Sequence, residues 1–302
     1  MILQRRRRRR ITIKTRLVEC LLFLLALVPL SVARAFARGV AGILSFFNND
    51  ISRITQLNIA MTHPQLSAEQ QRELSQQSVA STLMGALEMP IVWRKSQAWV
   101  EKKVVAIENE NLMHAVVAKQ KGVIVITPHI GNWEVVGRCL PNYAATTNLY
   151  QPPKITAVEN VVRRGRELSG AALVPTNQRG IAALLKALRR GEISGILPDQ
   201  VPQSGSGQFS DFFGQQAYTM TLVYNLIRKT QCSVILVYAL RVRGGFKLVF
   251  REAPETIYSE DQATSLRALN QMVETAINDD IPQYQWAYKR FKAQPEGKSD
   301  PY

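Results

Sequence analysis

A histidine and a glutamate lie five residues apart in the stretch Thr127-Pro-His129-Ile-Gly-Asn-Trp-Glu134. A neutral imidazole can accept the proton that a hydroxyl group loses when it becomes a nucleophile. A carboxylate on the other ring nitrogen fixes the tautomer and stabilises the imidazolium that forms. The pair therefore suits the attack of a hydroxyl on an acyl group, with His129 as general base and Glu134 as the residue that orients it. No serine or cysteine nucleophile is needed for such a direct transfer.

The elements predicted around this pair would bring its two side chains together. Residues 122–127 form a short β-branched run that is typical of a buried strand, and residues 133–140 look helical. Loops at the carboxyl ends of strands are where α/β sheets place their chemistry. Gly131 permits the tight backbone that such a loop needs. We expect His129 in the turn and Glu134 in the first turns of the helix.

The rest of the chain alternates between strand-like and helix-like segments. A helix with a capping-box-like start at Ser67 is expected to end or kink at Pro90, and a loop rich in Gly, Ser, Gln and Pro is expected at residues 198–216. Gly244-Gly245 is a hairpin signal. The alternation predicts an α/β domain around a mostly parallel or mixed central sheet. The further predicted strands cover residues 145–150, 171–175, 193–197, 232–242 and 246–250, and the helices residues 58–93, 158–168, 181–190, 220–229 and 264–277.

The charge of the chain indicates an acidic partner. The 302 residues carry a formal net charge of +15, and six of the positive charges lie in the arginine run at residues 5–10. A surplus this large suits nucleic acid, an anionic membrane surface, or an acidic protein or substrate. The run is followed by an apolar segment and by no nucleic-acid-binding motif, so we expect a solvated or membrane-bound tail and no nucleic-acid partner.

The three cysteines, Cys20, Cys139 and Cys232, form no C-x-x-C pair and have no metal-ligand spacing with the three histidines. A sparse, odd set suits a reduced compartment and argues against a disulfide scaffold or a structural zinc site. We expect no metal and no cofactor.

The N-terminal region indicates membrane attachment. Residues 20–33 are apolar and uncharged, and a second apolar stretch covers residues 36–47. A bilayer span needs roughly 20 apolar residues, so three interpretations stay open: a signal peptide, one short or tilted transmembrane helix, or one or two interfacial helices. Basic residues on both flanks favour the cytoplasmic side for the remainder of the chain. We expect a tail and anchoring helix at residues 1–48 and an enzyme domain at residues 49–302.

Five stretches in order resemble the lipid A biosynthesis acyltransferases, within the wider H-x-x-x-x-D/E glycerolipid acyltransferase group. The most specific is the stretch from Thr127 to Glu134, which has the form H-x-G-N-W-E. An E-G-T-R phosphate motif of the wider group is missing, and Pro198-Asp-Gln200 stands in its place, which favours the lipid A branch. The other stretches are Asn58-Ile-Ala-Met-Thr-His-Pro-Gln-Leu66, Ile196-Leu-Pro-Asp-Gln200, Asp211-Phe-Phe-Gly214 and Gln283-Tyr-Gln-Trp-Ala-Tyr-Lys-Arg-Phe-Lys292.

The resemblance implies an acyltransferase-type α/β sandwich whose active site faces the bilayer. The acyl donor would be an acyl carrier protein thioester, and the acceptor a hydroxyl on a Kdo-bearing lipid A precursor. The enzyme would lie at the inner membrane with its catalytic domain on the cytoplasmic face. Both implied substrates are acidic, which agrees with the positive charge outside the arginine run.

The same resemblance selects residues that would support the pair. An arginine in the basic block after the second strand supports the acceptor or the catalytic carboxylate in this family, and spacing favours Arg166, then Arg164. Asp199 and Gln200 follow a strand end, where they would hold the acceptor headgroup or an arginine, or simply form a turn. Asn132 would shape the His129 loop.

Three other functions remain compatible with these residues. The chain could acylate another membrane lipid, such as a glycosylated phosphatidylinositol, with the same chemistry. It could be a catalytically dead membrane scaffold, although His129 and Glu134 are both intact. It could also be a membrane-tethered nucleic-acid binder that uses residues 5–10.

Overall fold

The computed structural model describes residues 13–302 except residue 154, so the arginine run at residues 5–10 lies outside the described part. The helices are α1 (Ile13–Leu27), α2 (Leu30–Leu44), α3 (Asp50–Thr62), α4 (Ala68–Arg94), α5 (Gln97–Lys103), α6 (Glu110–Ala118), α7 (Trp133–Cys139), α8 (Thr156–Glu167), α9 (Gln178–Arg189), α10 (Leu222–Thr230) and α11 (Gln262–Asp279). The strands are β1 (Val104–Glu108), β2 (Val123–Ile126), β3 (Thr147–Tyr150), β4 (Ala172–Pro175), β5 (Ile193–Ile196), β6 (Gly207–Phe212), β7 (Gln215–Met220), β8 (Ser233–Val242) and β9 (Gly245–Glu252).

Five strands form a central sheet in the order β1-β9-β8-β2-β5. The pairs β1–β9, β8–β2 and β2–β5 are parallel, and only the β8–β9 hairpin is antiparallel. The prediction of an α/β domain around a mostly parallel or mixed sheet is therefore confirmed. Because β2 lies between β8 and β5, the residues that follow β2 and β5 emerge side by side at one edge of the sheet.

The hydrophobic core lies on both faces of this sheet. Strand residues point alternately to opposite faces, and β2 shows this directly: Ile124 and Ile126 belong to one core cluster, Val123 and Val125 to the other. All four side chains are fully buried. This explains why the sequence of β2 is uninterruptedly apolar and does not alternate with polar residues.

Two small sheets flank the central one. Strands β3 and β4 pair in parallel with each other, and each of them was predicted as a strand from the sequence. Strands β6 and β7 form an antiparallel hairpin within residues 207–220. The prediction of a plain loop at residues 198–216 is therefore wrong over its second half. The Gly-, Ser- and Gln-rich composition resembles a loop, whereas the strands are stabilised by pairing with each other and by Phe212, which is buried in the core.

The helical region before the sheet is divided differently from the prediction. The helical pattern expected over residues 58–93 is divided between α3, which already begins at Asp50, and α4, which begins with the predicted capping box at Ser67 and Gln70. Pro90 lies inside α4, which continues to Arg94. The end of α4 is held by the buried guanidinium of Arg138, which donates to the carbonyl oxygens of Val92 at 2.9 Å and Lys95 at 3.2 Å.

The N-terminal apolar segment folds as two short helices that meet at Pro29. Helix α1 ends at Leu27 and α2 starts at Leu30, because proline has no N–H for a continuous helix. Within residues 13–302, no helix taken alone is long and apolar enough to cross a bilayer; Arg16–Leu27 and Leu30–Leu44 reach that length only jointly, with a bend of 112° between them. Of the fifteen large apolar side chains exposed in the described chain, ten lie on residues 17–47.

Candidate active site

The loop between β2 and α7 has a backbone that requires glycine at one position. Gly131 has a φ of +57°, and a Cβ built on it would lie 1.9 Å from the carbonyl oxygen of Ala239 in β8. Its own N–H donates to the carbonyl of Gln283, and the N–H of Asn132 donates to Ala239. The expected tight turn at Gly131 is present, and it presses the loop directly onto the neighbouring strand.

His129 forms a close pair with Asp199. The imidazole Nδ1 lies 2.8 Å from Asp199 Oδ1, and the backbone N–H of His129 donates to Asp199 Oδ2 at 2.8 Å. The two residues follow adjacent parallel strands, β2 and β5. The Asp199 side chain is only 2% exposed. A carboxylate that holds both the backbone and the ring of one histidine fixes the position and the tautomer of that ring.

Two opposing effects act on the pKa of Asp199. Burial raises this pKa, but the charge of His129 and the two hydrogen bonds from it outweigh burial, so the pKa lies below its ordinary value. Asp199 is therefore a carboxylate at neutral pH. A carboxylate can only accept, so Nδ1 of His129 is the donor in this contact, and in the neutral tautomer that this contact selects the lone pair lies on Nε2. The side-chain nitrogen of Gln200 lies 3.2 Å from that Nε2 and 3.4 Å from Oε1 of Gln285.

Glu134 has a partner other than the histidine. Both of its oxygens accept from Arg166 of α8, from Nε at 3.0 Å and from Nη2 at 2.5 Å. Burial alone would lower the pKa of Arg166, yet the Glu134 carboxylate raises it above its ordinary value, so the guanidinium stays charged. In this geometry the ring of His129 is contacted by Asp199, where Glu134 was expected. A buried carboxylate needs a charged partner, and Arg166 supplies it.

The two pairs lie on either side of Trp133. Its indole ring packs edge-on against the imidazole of His129, with ring centroids 4.7 Å apart. Trp133, Glu134 and Arg166 line one pocket together with Thr127. The buried Thr127 hydroxyl has no hydrogen-bond partner within the described residues. The lining of this pocket therefore combines the Glu134–Arg166 ion pair, the Thr127 hydroxyl and the Trp133 ring, which also contacts His129.

The remaining predicted residues are placed apart from His129. Arg164 is exposed and lines a separate groove with Trp93 and residues of α1, although it lies only two positions before Arg166. Asn132 is buried behind the loop, where its side-chain nitrogen donates to Glu88 at 3.2 Å. Asn132 therefore contacts Glu88 of α4 and does not line the pocket.

Three further residues contact the loop without having been selected from the sequence. Gln285 donates from its backbone N–H to the carbonyl of His129 at 3.0 Å, and Gln283 accepts from Gly131. Both belong to the C-terminal stretch at residues 283–292 that resembles the family, so the sequence did contain a signal for these two residues. Glu88 is fully buried in α4. Its only signal was a single carboxylate within the apolar segment before Pro90.

Neither a metal site nor a cysteine nucleophile is found in the described chain. No three His, Cys, Asp or Glu side chains there are grouped so that they could hold a metal ion. Cys139, at the end of α7, is buried, and burial raises the pKa of its thiol to about 12. Almost no thiolate exists there at neutral pH, so the Cys139 thiol is poorly suited to act as a nucleophile.

Comparisons with known proteins agree with the geometry. The chain is 24% identical over 288 residues to the lipid A biosynthesis lauroyltransferase of Escherichia coli K12, covering 93% of this chain and 92% of the relative. It is 28% identical over 253 residues to the lipid A biosynthesis palmitoleoyltransferase of the same organism, covering 82% and 81%. A lipid A biosynthesis myristoyltransferase from that organism matches at 26% over 152 residues, or 50% of this chain and 46% of the relative.

The sequence profile described as "Bacterial lipid A biosynthesis acyltransferase" matches residues 2–293, which is nearly the whole chain. The match includes the loop of His129, both carboxylates and the C-terminal segment that holds the loop. The chain therefore belongs to the bacterial lipid A biosynthesis acyltransferase family.

Proposed function

We propose that this protein transfers a fatty-acyl chain from an acyl carrier protein thioester to a hydroxyl of a Kdo-bearing lipid A precursor. The observation that carries the proposal is the His129–Asp199 pair, in which the carboxylate contacts Nδ1 and Nε2 is the ring nitrogen that can act as a base. The family and its acyltransferase relatives support the reaction type. The surplus of positive charge suits two acidic substrates.

In the proposed reaction His129 is the general base. The acceptor hydroxyl displaces the side chain of Gln200 from Nε2, gives its proton to that nitrogen, and attacks the carbonyl carbon of the thioester. The carbon–sulfur bond then breaks, and the imidazolium returns the proton to the leaving thiolate. The products are an ester on the lipid and the free thiol of the carrier. Asp199 holds the ring and stabilises the imidazolium between the two proton transfers.

Glu134 and Arg166 are proposed to serve the acyl group or the acceptor. As the thioester carbonyl becomes tetrahedral, negative charge develops on its oxygen, and a fixed cation nearby stabilises that charge. Arg166 supports this role because Glu134 holds it on one side and the ring of Tyr150 lies 5.5 Å from it on the other. Arg164 and Asn132 are given no contact with the reacting atoms in this scheme.

Residues 1–48 are proposed to bind the inner membrane at its cytoplasmic face, with residues 49–302 as the catalytic domain. Apolar side chains such as Phe36, Phe46 and Phe47 are exposed on α2 and directly after it. Each of the two helices is 15 residues long, or about 22 Å, which is shorter than the ~30 Å hydrocarbon core. These features support helices that lie in the interface.

The reaction is tested with the purified, detergent-solubilised full chain. It is incubated with acyl carrier protein thioesters of several chain lengths and a Kdo-bearing tetraacyl lipid A precursor, and the lipid is analysed by mass spectrometry. We expect a mass increase of one acyl chain with the wild type. His129→Ala is expected to lower the rate by about 100- to 10,000-fold, which is the usual loss of a general base.

The same experiment separates the alternative functions. A mass increase with another membrane lipid, and none with the lipid A precursor, would move the acceptor and keep the chemistry. No transfer to either lipid would favour a scaffold that retains the fold. A near-normal rate in His129→Ala would end the proposed mechanism, whichever lipid is acylated.

A further inference from the structure

A buried ionic cluster lies behind the loop that carries His129. The Glu88 cluster comprises Arg34 of α2, Glu88 of α4, Asn132 of the loop and Arg241 of β8. Glu88 accepts from Arg34 Nε at 2.6 Å through one oxygen, and from Arg241 Nε at 2.7 Å and Asn132 Nδ2 at 3.2 Å through the other. The side chains of Glu88, Arg241 and Arg34 are 0%, 7% and 10% exposed.

The cluster holds the loop through its backbone. Arg241 donates from Nη2 to the carbonyl of Gly131 at 2.6 Å and from Nη1 to Ser81 at 2.9 Å. Gly131 lies two residues after His129, and its N–H is held from the other side by Gln283. The position of the imidazole therefore depends on a loop clamped between the C-terminal segment and Arg241.

Arg34 extends the cluster to the N-terminal helices. Besides Glu88, it donates to the carbonyls of Val242 at 2.8 Å and Gly245 at 2.9 Å, at the β8–β9 turn. It is the only arginine of α2 that points inward; Arg38, one turn later, is exposed like the apolar residue Phe36. The inner face of α2 thus contacts, through Arg34, the carboxylate that holds Arg241, while its exposed side carries Val32, Phe36 and Ile43 together with Arg38.

A buried ion pair is a weak source of stability, because desolvation offsets most of its attraction, and in some proteins its role is instead to select one arrangement of its partners. We propose that Glu88 and Arg241 are positioning residues for the His129 loop, and that Arg34 makes their arrangement depend on the seating of α2. Contact of α2 with a lipid surface then favours the active geometry of the loop. The inference rests on the proposed role of His129 as general base.

The test compares Arg34→Met and Arg34→Lys with Arg38→Met, a matched change on the exposed side of the same helix. We expect Arg34→Met to lower kcat by about 10- to 100-fold, the scale of a misplaced catalytic group. The KM for the acyl donor should change by no more than about twofold, since the pocket itself is untouched. Arg34→Lys should fall between, because one ammonium cannot reach three acceptors. Any loss of kcat in Arg38→Met should be clearly smaller than the loss in Arg34→Met, and the ring signals of His129 should stay as in the wild type.

A second readout does not require turnover. The chain has three histidines, so the imidazole signals of protein labelled with ¹⁵N-histidine can be assigned by substitution. Arg34→Met or Arg34→Lys should shift the ring signals of His129 and leave those of His114, on α6, unchanged. This arm separates the inference from the proposed function, since it gives a result even if the wild type transfers no acyl chain.

An unshifted His129 signal in folded Arg34→Met would overturn the proposal, as would a kcat within about twofold of the wild type. An equal loss in Arg38→Met would also overturn it, because membrane contact alone would then explain the effect. If Arg34→Met does not fold, Arg34→Lys decides by the same two criteria.

Discussion

At the scale of single residues, the site depends on which carboxylate meets the imidazole. Glu134 is close to His129 in sequence, whereas Asp199 is 70 residues away, yet Asp199 makes two contacts with His129 at 2.8 Å. Glu134 instead forms a two-pronged pair with Arg166. A carboxylate that is close in sequence contacts the histidine only when no residue after a neighbouring strand lies closer to the ring in space. Asp199 is buried, accepts only and follows the adjacent strand, and we therefore propose Asp199 as the residue that orients His129.

This assignment predicts the effect of Asp199→Asn. The amide cannot stabilise the imidazolium and favours the wrong tautomer, so we expect kcat to fall by roughly 1,000- to 10,000-fold, as where a carboxylate orients a catalytic histidine. Asp50→Asn, at an exposed carboxylate paired only with Arg53, is the control and should be neutral. Steady-state kinetics check this. A kcat within about tenfold of the wild type would return the orienting role to Glu134.

The depressed pKa of Asp199 adds a pH signature to the same variant. A carboxyl group whose folded pKa lies below its ordinary value of 3.8 stabilises the fold above that value, and the contribution is lost as the pH falls through the folded pKa. The pH-dependent part of the stability difference between wild type and Asp199→Asn should therefore be full at pH 7 and pH 5. It should shrink only below about pH 4, which denaturant unfolding at several pH values would measure.

At the scale of elements, local patterns predicted what lies within one segment and missed what depends on pairing. The apolar run of β2, the turn at Gly131 and the capping box of α4 are each encoded in a few neighbouring residues, and the structure has all three. The adjacency of β2 and β5, which brings Asp199 to His129, depends on strand order. The β6–β7 hairpin depends on cross-strand contacts. Periodicity along the chain carries neither kind of information.

The loop itself gives a prediction at this scale. In Gly131→Ala the new Cβ would have to move away from the carbonyl oxygen of Ala239, and the residue would keep a positive φ only with strain. We expect a loss of kcat of at least about tenfold and a lower melting temperature. Gly214→Ala is the control: it also has a positive φ, of +74°, but a Cβ there meets nothing within 4 Å. The Gly214→Ala variant should be less stable than the wild type, but its kcat per folded molecule should fall much less than that of Gly131→Ala.

At the scale of the whole molecule, exposed apolar surface is concentrated near the N-terminus. Ten large apolar side chains are exposed on residues 17–47, against five in the rest of the described chain. The helices that carry them pack onto α4, whose Glu88 contacts the loop of the site. The proposed membrane contact and the proposed chemistry are thus connected through packed residues of one structure, since α1 and α2 contact α4 and α4 contacts the loop.

The membrane contact is the last prediction. Replacing Phe36 and Phe46 by serine removes two exposed phenylalanines, 64% and 85% accessible, without touching the inner face of α2. Each buried phenylalanine contributes about 1.5–3 kcal/mol, so affinity for vesicles of anionic phospholipid should fall by at least about tenfold in a sedimentation assay. The double variant Val105→Ser and Ile107→Ser, at exposed apolar residues of edge strand β1, is the matched control and should bind like the wild type. Equal losses in both double variants would indicate a general effect of surface hydrophobicity. Unchanged binding in the phenylalanine variant would show that α2 does not face the lipid.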